Sequence, residues 1–315
     1  MMPGRGGKAR PGKKVSIANR KSKVTPDEFA ALPDDFSWFE NLDKMIPAIL
    51  KGNDIRDLSA RIARARREGR PLILLMGAHV VKCGFGRIIG DLVRKGLVTG
   101  IAVNGAFAIH DVEIAMWGKT SEDVEEALGR GEFGMAAETQ EFFDSASARC
   151  LDGRTGLGEA LGLELSGSRA PNPGDSVLAS AASAGIPLTV HVAIGTDIVH
   201  QHDGADGRAI GQGSLTDFRK FASLIAGLSG GVVLNIGSAV ILPEVFLKAL
   251  AIARSRGEDL GGFTTANFDM YSHYRPSANL VRRPRALGGT TFEFLGHHEL
   301  LLPLFFASVL ANLHE

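Results

Sequence analysis

His110-Asp111, Asp197, His200-Gln-His202 and His297-His298-Glu299 bring imidazoles and carboxylates together at short spacing, with His191 just ahead of the middle group. Imidazole changes charge near neutrality and a carboxylate can orient it, so such groups suit acid–base work or recognition of a polar substrate. The catalytic candidates are therefore His110, Asp111, His191, Asp197, His200, His298 and Glu299. Asp269, His273 and Arg275 are candidates for holding the substrate. His200, His202 and His297 are the candidate metal ligands, because imidazole pairs of this kind can hold zinc or iron. Neither short-range pair has the His-Glu-x-x-His form, and Cys83 and Cys150 lack a metal-ligand spacing. A lone histidine is more often a satisfied core or surface residue; the grouping is what points to a site.

A second set of residues could hold a cofactor. Gly77-Ala-His-Val-Val-Lys-Cys-Gly84, Asn104-Gly105 and Asn235 to Ser238 each stand where an apolar run gives way to a helical pattern. Backbone N–H groups at such a turn, with a helix N-terminus behind them, can meet a phosphate. The cofactor candidates are Gly77, Ala78, His79, Lys82, Cys83, Asn104, Gly105, Asn235, Gly237, Ser238, Thr264 and Asn267. Neither Gly77–Gly84 nor Gly231–Ser238 is the dinucleotide fingerprint or a Walker loop, and tight turns are the alternative reading. Cys83 beside Lys82 is readable as an activated thiolate or as a small buried hydrophobe.

Short apolar runs alternate with helical patterns and so place these residues. Strands are expected at 71–76, 98–103, 187–192, 231–234, 262–266 and 290–295. Helices are expected at 54–70, 87–95, 109–117, 121–129, 138–149, 155–164, 215–228, 243–256 and 298–310. Uninterrupted apolar strands separated by helices imply a six-stranded, mostly parallel, doubly wound α/β sheet with helices on both faces. Ligands of such sheets sit beyond the carboxyl ends of the strands. Eight of the nine histidines fall at those ends or in the loops after them, which predicts one shared cavity.

Length and charge set the frame. The 315 residues suit a single α/β domain over 25–315, with a helical insertion around 118–185. Residues 1–24 hold eight basic residues and no acidic one, leaving 27 basic against 35 acidic in the remainder. This glycine- and lysine-rich segment is expected to be a disordered basic arm, with nucleic acid an unfavoured partner. Basic residues at the start are followed by no apolar stretch, and Pro303 interrupts the apolar run Leu300–Leu313. No secretion signal or membrane span is therefore expected. With two cysteines, this points to the cytoplasm.

The ordered series from Gly77–Gly84, through Lys95-Gly-Leu-Val-Thr99, Val103–Asp111, Gly185-Ile-Pro-Leu188 and Arg275-Pro276, to Gly296-His-His-Glu299 resembles deoxyhypusine synthases. It spans roughly residues 70–312. The resemblance implies an NAD-binding α/β fold and a homotetramer with sites between subunits. That family carries its catalytic lysine in a Trp-Gly-Lys run shortly after an Arg-Pro-Asp-Glu run. Here the place reads Arg282-Arg-Pro-Arg285, and no lysine follows Lys248. Arginine stays protonated and cannot form the imine. Paired glutamates of the family become Ile109 and His110. The reading is a deoxyhypusine-synthase-like protein that is not a true deoxyhypusine synthase: an NAD-binding transferase or oxidoreductase-like enzyme for a small polar molecule. A metal-dependent enzyme using the histidine-rich loops, or a non-catalytic nucleotide-binding protein, are the alternatives.

Overall fold

A central strand buried on both faces organises the chain. The computed structural model describes residues 12–35 and 38–314. β1 is Ser22–Val24, β2 Leu72–Met76, β3 Gly100–Asn104, β4 Thr120–Glu122, β5 Leu188–His191, β6 Val232–Ile236, β7 Thr264–Asp269 and β8 Thr290–Leu295. Every residue of β2 is buried. Leu72, Leu74 and Met76 face one apolar core, while Ile73 and Leu75 face the other. This period-2 alternation within an all-apolar run is what a two-sided sheet requires.

The sheet order is β5-β3-β2-β6-β7-β8, and every ladder is parallel. The chain winds outward from β2 to β5, then returns to start again at β6. β2 and β6 therefore border the topological switch point, where such sheets open a crevice. Helices Leu50–Arg67, Gly86–Arg94, Gly105–Trp117 and His298–His314 contribute to the larger core. Helices Gly207–Ala226 and Ile241–Ser255 cover the opposite face. Between residues 118 and 187 lie β4 and helices Val124–Gly129, Ala137–Ala148, Leu157–Gly167 and Val177–Ala184.

The expectation of a disordered arm over 1–24 does not hold for residues 12–24; residues 1–11 lie outside the described residues. β1 pairs antiparallel with β4, and Val15 bridges to Ala136. Ile17 is 1% exposed, and Arg20 reaches buried Glu113 through two bonds of 2.8 and 2.7 Å. One apolar anchor and one buried cation held bidentately by Glu113 outweigh the composition of the segment. Among the described residues no helix is long and apolar enough to cross a membrane.

Candidate functional site

Two clusters stand at the carboxyl edge of the sheet. The first lies beyond β3 and β5. Asn104 ends β3 and its Oδ1 accepts from the Phe107 amide at 2.8 Å, which starts helix Gly105–Trp117. The first turns of that helix carry His110 and Glu113. Glu113, 1% exposed, accepts from Arg20 twice, from Thr120 Oγ1 at 2.6 Å and from Thr139 Oγ1 at 2.9 Å. Because Thr120 gives its proton to Glu113, its oxygen accepts from His110 Nδ1–H at 2.7 Å. The chain Glu113–Thr120–His110 therefore fixes the tautomer and leaves Nε2 as a bare acceptor. Burial lowers the His110 pKa to about 4, so the ring is neutral at physiological pH.

His110 lines a cavity of about 170 Å³ together with Arg20, Lys82, Glu113, Glu122 and Asp197. Burial raises the Glu122 pKa and lifts that of Asp197 to about 6. A neutral imidazole and a carboxyl that titrates late thus share one wall, the combination that divides base and acid roles. Behind Asp197, His200 Nδ1 accepts from the amides of Gly195 and Asp197, and Nε2 stands 4.0 Å from Asp197 Oδ2. Those last two atoms have no hydrogen-bond partner among the described residues. A void of about 10 Å³ beside them has room for one water.

The second cluster lies at the switch point. The short helix His79–Lys82 follows β2, and the last helix begins at His298 after β8. The rings of His79 and His298 are 5.5 Å apart. Gly237, at φ +66°, lies beneath both: a Cβ there would stand 2.9 Å from His298 Cε1 and 3.8 Å from His79 Cβ. Asp269 Oδ2 and His298 Nδ1 are buried without a partner. Burial, then His298, lowers the His79 pKa; burial, then Glu299, pushes the Cys83 thiol up to about 11. Cys83 is therefore no activated thiolate in this state.

Several sequence candidates have structural employment instead. Asp111, 0% exposed, accepts from Ser176 Oγ, Val177 N and Leu178 N; it neutralises the start of helix Val177–Ala184 and orients no histidine. His191 bonds Thr189 Oγ1 and packs edge-on against Phe221. Gly77 lies against the Gly237 carbonyl, which a Cβ would approach to 2.0 Å, and its N–H bonds Ile236 O. The start of helix Gly105–Trp117 is filled by the carboxylate of Asp197, 2.0 Å from where a Gly105 Cβ would be. Neither glycine is an open phosphate cradle. Asn235 bridges to Ser238 O and Asn267 Oδ1, and Ser238 Oγ accepts from Leu242 N. Thr264 opens β7 at the amino edge, away from the crevice. His202 bonds Gly134 O, Arg275 pairs with Glu244 and His297 is exposed beside Glu299. His273 precedes the turn Tyr274–Pro276, in the loop after β7. Among the described residues His110, His200 and His202 line three different cavities, and His298 stands with His79 at the switch point.

Arg20, Glu113 and Glu122 line the cavity, Thr120 stands behind it, and none was among the sequence candidates. Arg20 sat in a segment whose composition pointed to disorder, and a glutamate inside an amphipathic helix carries no local signal. Gly129-Arg-Gly-Glu-Phe-Gly134 and Gly227-Leu-Ser-Gly-Gly231 match two familiar motif spacings. The first follows a helix, and the second leads into β6 from the amino edge, so neither has the strand–turn–helix setting its motif needs.

Solved structures share the fold. Unliganded AgrE superposes with a TM-score of 0.53 at 15% identity, over 82% of this chain and 32% of its own. The ternary complex of AgrE with ornithine and NAD+ gives 0.50 at 15% identity, with 82% and 32% covered. A chain assigned as a deoxyhypusine synthase from Entamoeba histolytica gives 0.45 at 13% identity, with 77% and 76% covered, too loose to inform the site. This chain spans about a third of the length of the AgrE chains. The likeness to these structures is one of fold. No family model and no curated protein matches the sequence.

Proposed function

We propose that this chain is an enzyme that acts on a small polar molecule held in the cavity of Arg20, Lys82, His110, Glu122 and Asp197. The observation that carries this reading is the Glu113–Thr120–His110 chain, which presents a bare, neutral imidazole nitrogen at a cavity with ionisable side chains in an otherwise largely apolar wall. His110 Nε2 takes a proton from the substrate, and Asp197 returns one to it. Lys82, on the cavity wall, attracts a negative or electron-rich substituent. Residues 249–315 contain no lysine, so no imine is expected to form on them.

A nicotinamide dinucleotide in the switch-point crevice belongs to the same reading. The fit rests on orphaned buried atoms: Asp269 Oδ2 and His298 Nδ1 face no protein partner. A carboxylate near a strand end is the kind of group such folds use to hold a ribose. Asp269, His298 and the Gly237 turn would hold the dinucleotide, which would supply a hydride acceptor. A homo-oligomer is also part of the proposal: Tyr271, Tyr274, Leu295 and Leu300, all near the carboxyl edge, are exposed.

The test is thermal denaturation with NAD+ and NADH titrated to millimolar concentration. Saturation to about 100 times Kd should stabilise by about 2.7 kcal/mol, and Asp269→Asn should remove the shift. Flat curves refute the dinucleotide. A panel of small hydroxy and amino acids tests the cavity, and a hit unchanged by His110→Gln refutes the assigned base.

A further inference from the structure

We propose that His79, Cys83 and Glu299 form a binding site for a divalent metal of the zinc type. The inference goes beyond the dinucleotide reading and does not rest on it. The Cys83 amide donates to His79 O at 2.9 Å, so the two residues are one helical turn apart and their side chains share a face. Glu299 comes from the first turn of the last helix, on the other side of the crevice. One imidazole nitrogen, the Cys83 sulfur and one Glu299 oxygen all lie within 4.8 Å of one another. The sulfur is 4.0 Å from Glu299 Oε2.

Donors around a tetrahedral zinc, bonded at ~2.0–2.3 Å, stand roughly 3.3–3.8 Å apart. The gap is small, and one ligand can close it: the Glu299 side chain is 53% exposed and, apart from the Cys83 sulfur, meets only exposed His297, at 3.6 Å, among the described residues. The other two are held by the backbone. The His79 imidazole makes no hydrogen bond to a described residue, and its face is braced by His298. Nitrogen, sulfur and oxygen donors together suit zinc or a similar borderline cation better than magnesium or calcium, which take oxygen. Three protein donors leave a fourth position open on the exposed side of Glu299. That is the pattern of a metal that receives a water or a substrate atom. The histidine pairs that sequence spacing favoured are not part of it: His200 and His202 belong to the loop after β5, and His297 points to solvent.

The experiment uses the full chain, stripped with a chelator and titrated with Co2+, then with Zn2+ in competition. The expected result is one equivalent of Co2+ bound with a near-ultraviolet thiolate-to-metal charge-transfer band, displaced by Zn2+. Cys83→Ser should abolish the band. Glu299→Gln, at an exposed position where folding is not at risk, should weaken binding by about 10–100-fold or more, since even outer-sphere partners cost that much. His297→Ala should leave affinity within a few-fold, and Cys150→Ser should keep the band. Absence of the band, its survival in Cys83→Ser, or unchanged affinity in Glu299→Gln overturns the assignment. Circular dichroism of each variant separates loss of binding from loss of fold.

Discussion

Replacing Glu113 by Gln tests the foundation of the cavity. The Arg20 and Glu113 side chains are 6% and 1% exposed, so both charges have left water and each depends on the other. The substitution keeps the shape and removes one charge. Arg20 is then a buried cation without its counter-ion, and an amide N–H replaces an acceptor oxygen that faces donors on all sides. Removing one partner of a buried pair costs about 3–5 kcal/mol. At roughly 2–4 °C per kcal/mol for a domain approaching this size, the melting temperature should fall by about 6–20 °C. The loss should also be local: Arg20 ties residues 12–24 to the body, so trypsin should cut at Lys13, Lys14, Lys21 and Lys23 faster than in the parent. Lys44→Ala, which breaks an exposed pair with Glu40, is the control and should leave the melting temperature nearly unchanged. Differential scanning calorimetry and timed proteolysis read both effects. A Glu113→Gln protein within about 1 kcal/mol of the parent, with unchanged trypsin sites, would refute the desolvated pair and the tautomer argument built on it.

Two further outcomes are expected. Gly237→Ala, forced to φ +66° with its Cβ 2.9 Å from His298, should destabilise by about 1–3 kcal/mol in urea titration; a neutral result would show that the two rings do not fill that space. Asp217 is pushed up to about pKa 7 by burial while Val190 N and Gly158 N donate to its Oδ2, and Oδ1 has no partner among the described residues. It holds its proton more tightly folded than unfolded, so it costs stability as pH rises from about 4 to about 7. Asp217→Asn removes that cost, and the stability of the variant relative to the parent should climb across this window and level off above it. A pH-independent difference would contradict the burial of the charge.

The architecture was legible because β2 and its neighbours are short apolar runs between helical patterns, a signal carried by each segment alone. The histidines were legible as strand-end residues but not as partners. Which side of a loop a ring turns to depends on contacts such as Thr189 with His191, or Gly134 with His202, that no spacing encodes. Asp111 looked like a site carboxylate because it adjoins His110, yet neighbours in a helix point about 100° apart, and one step takes the side chain from the cavity to the start of another helix. β1 and β4 were missed because Ser22-Lys-Val24 and Thr120-Ser-Glu122 have no apolar alternation; their pairing exists only once residues nearly a hundred positions apart have met.

That pairing joins distant parts of the chain. Arg20, a wall of the cavity, is synthesised early, but its partner Glu113 emerges more than ninety residues later. Closing so long a loop costs entropy that only the contacts at its end repay, as the still longer closure between β2 and β6 also does. The cavity is thus bounded on one side by a segment that a buried ion pair and a short strand tie to the body. A molecule that fills it binds at the seam and acts as a clasp, slowing the release of residues 12–24 without touching the sheet beneath.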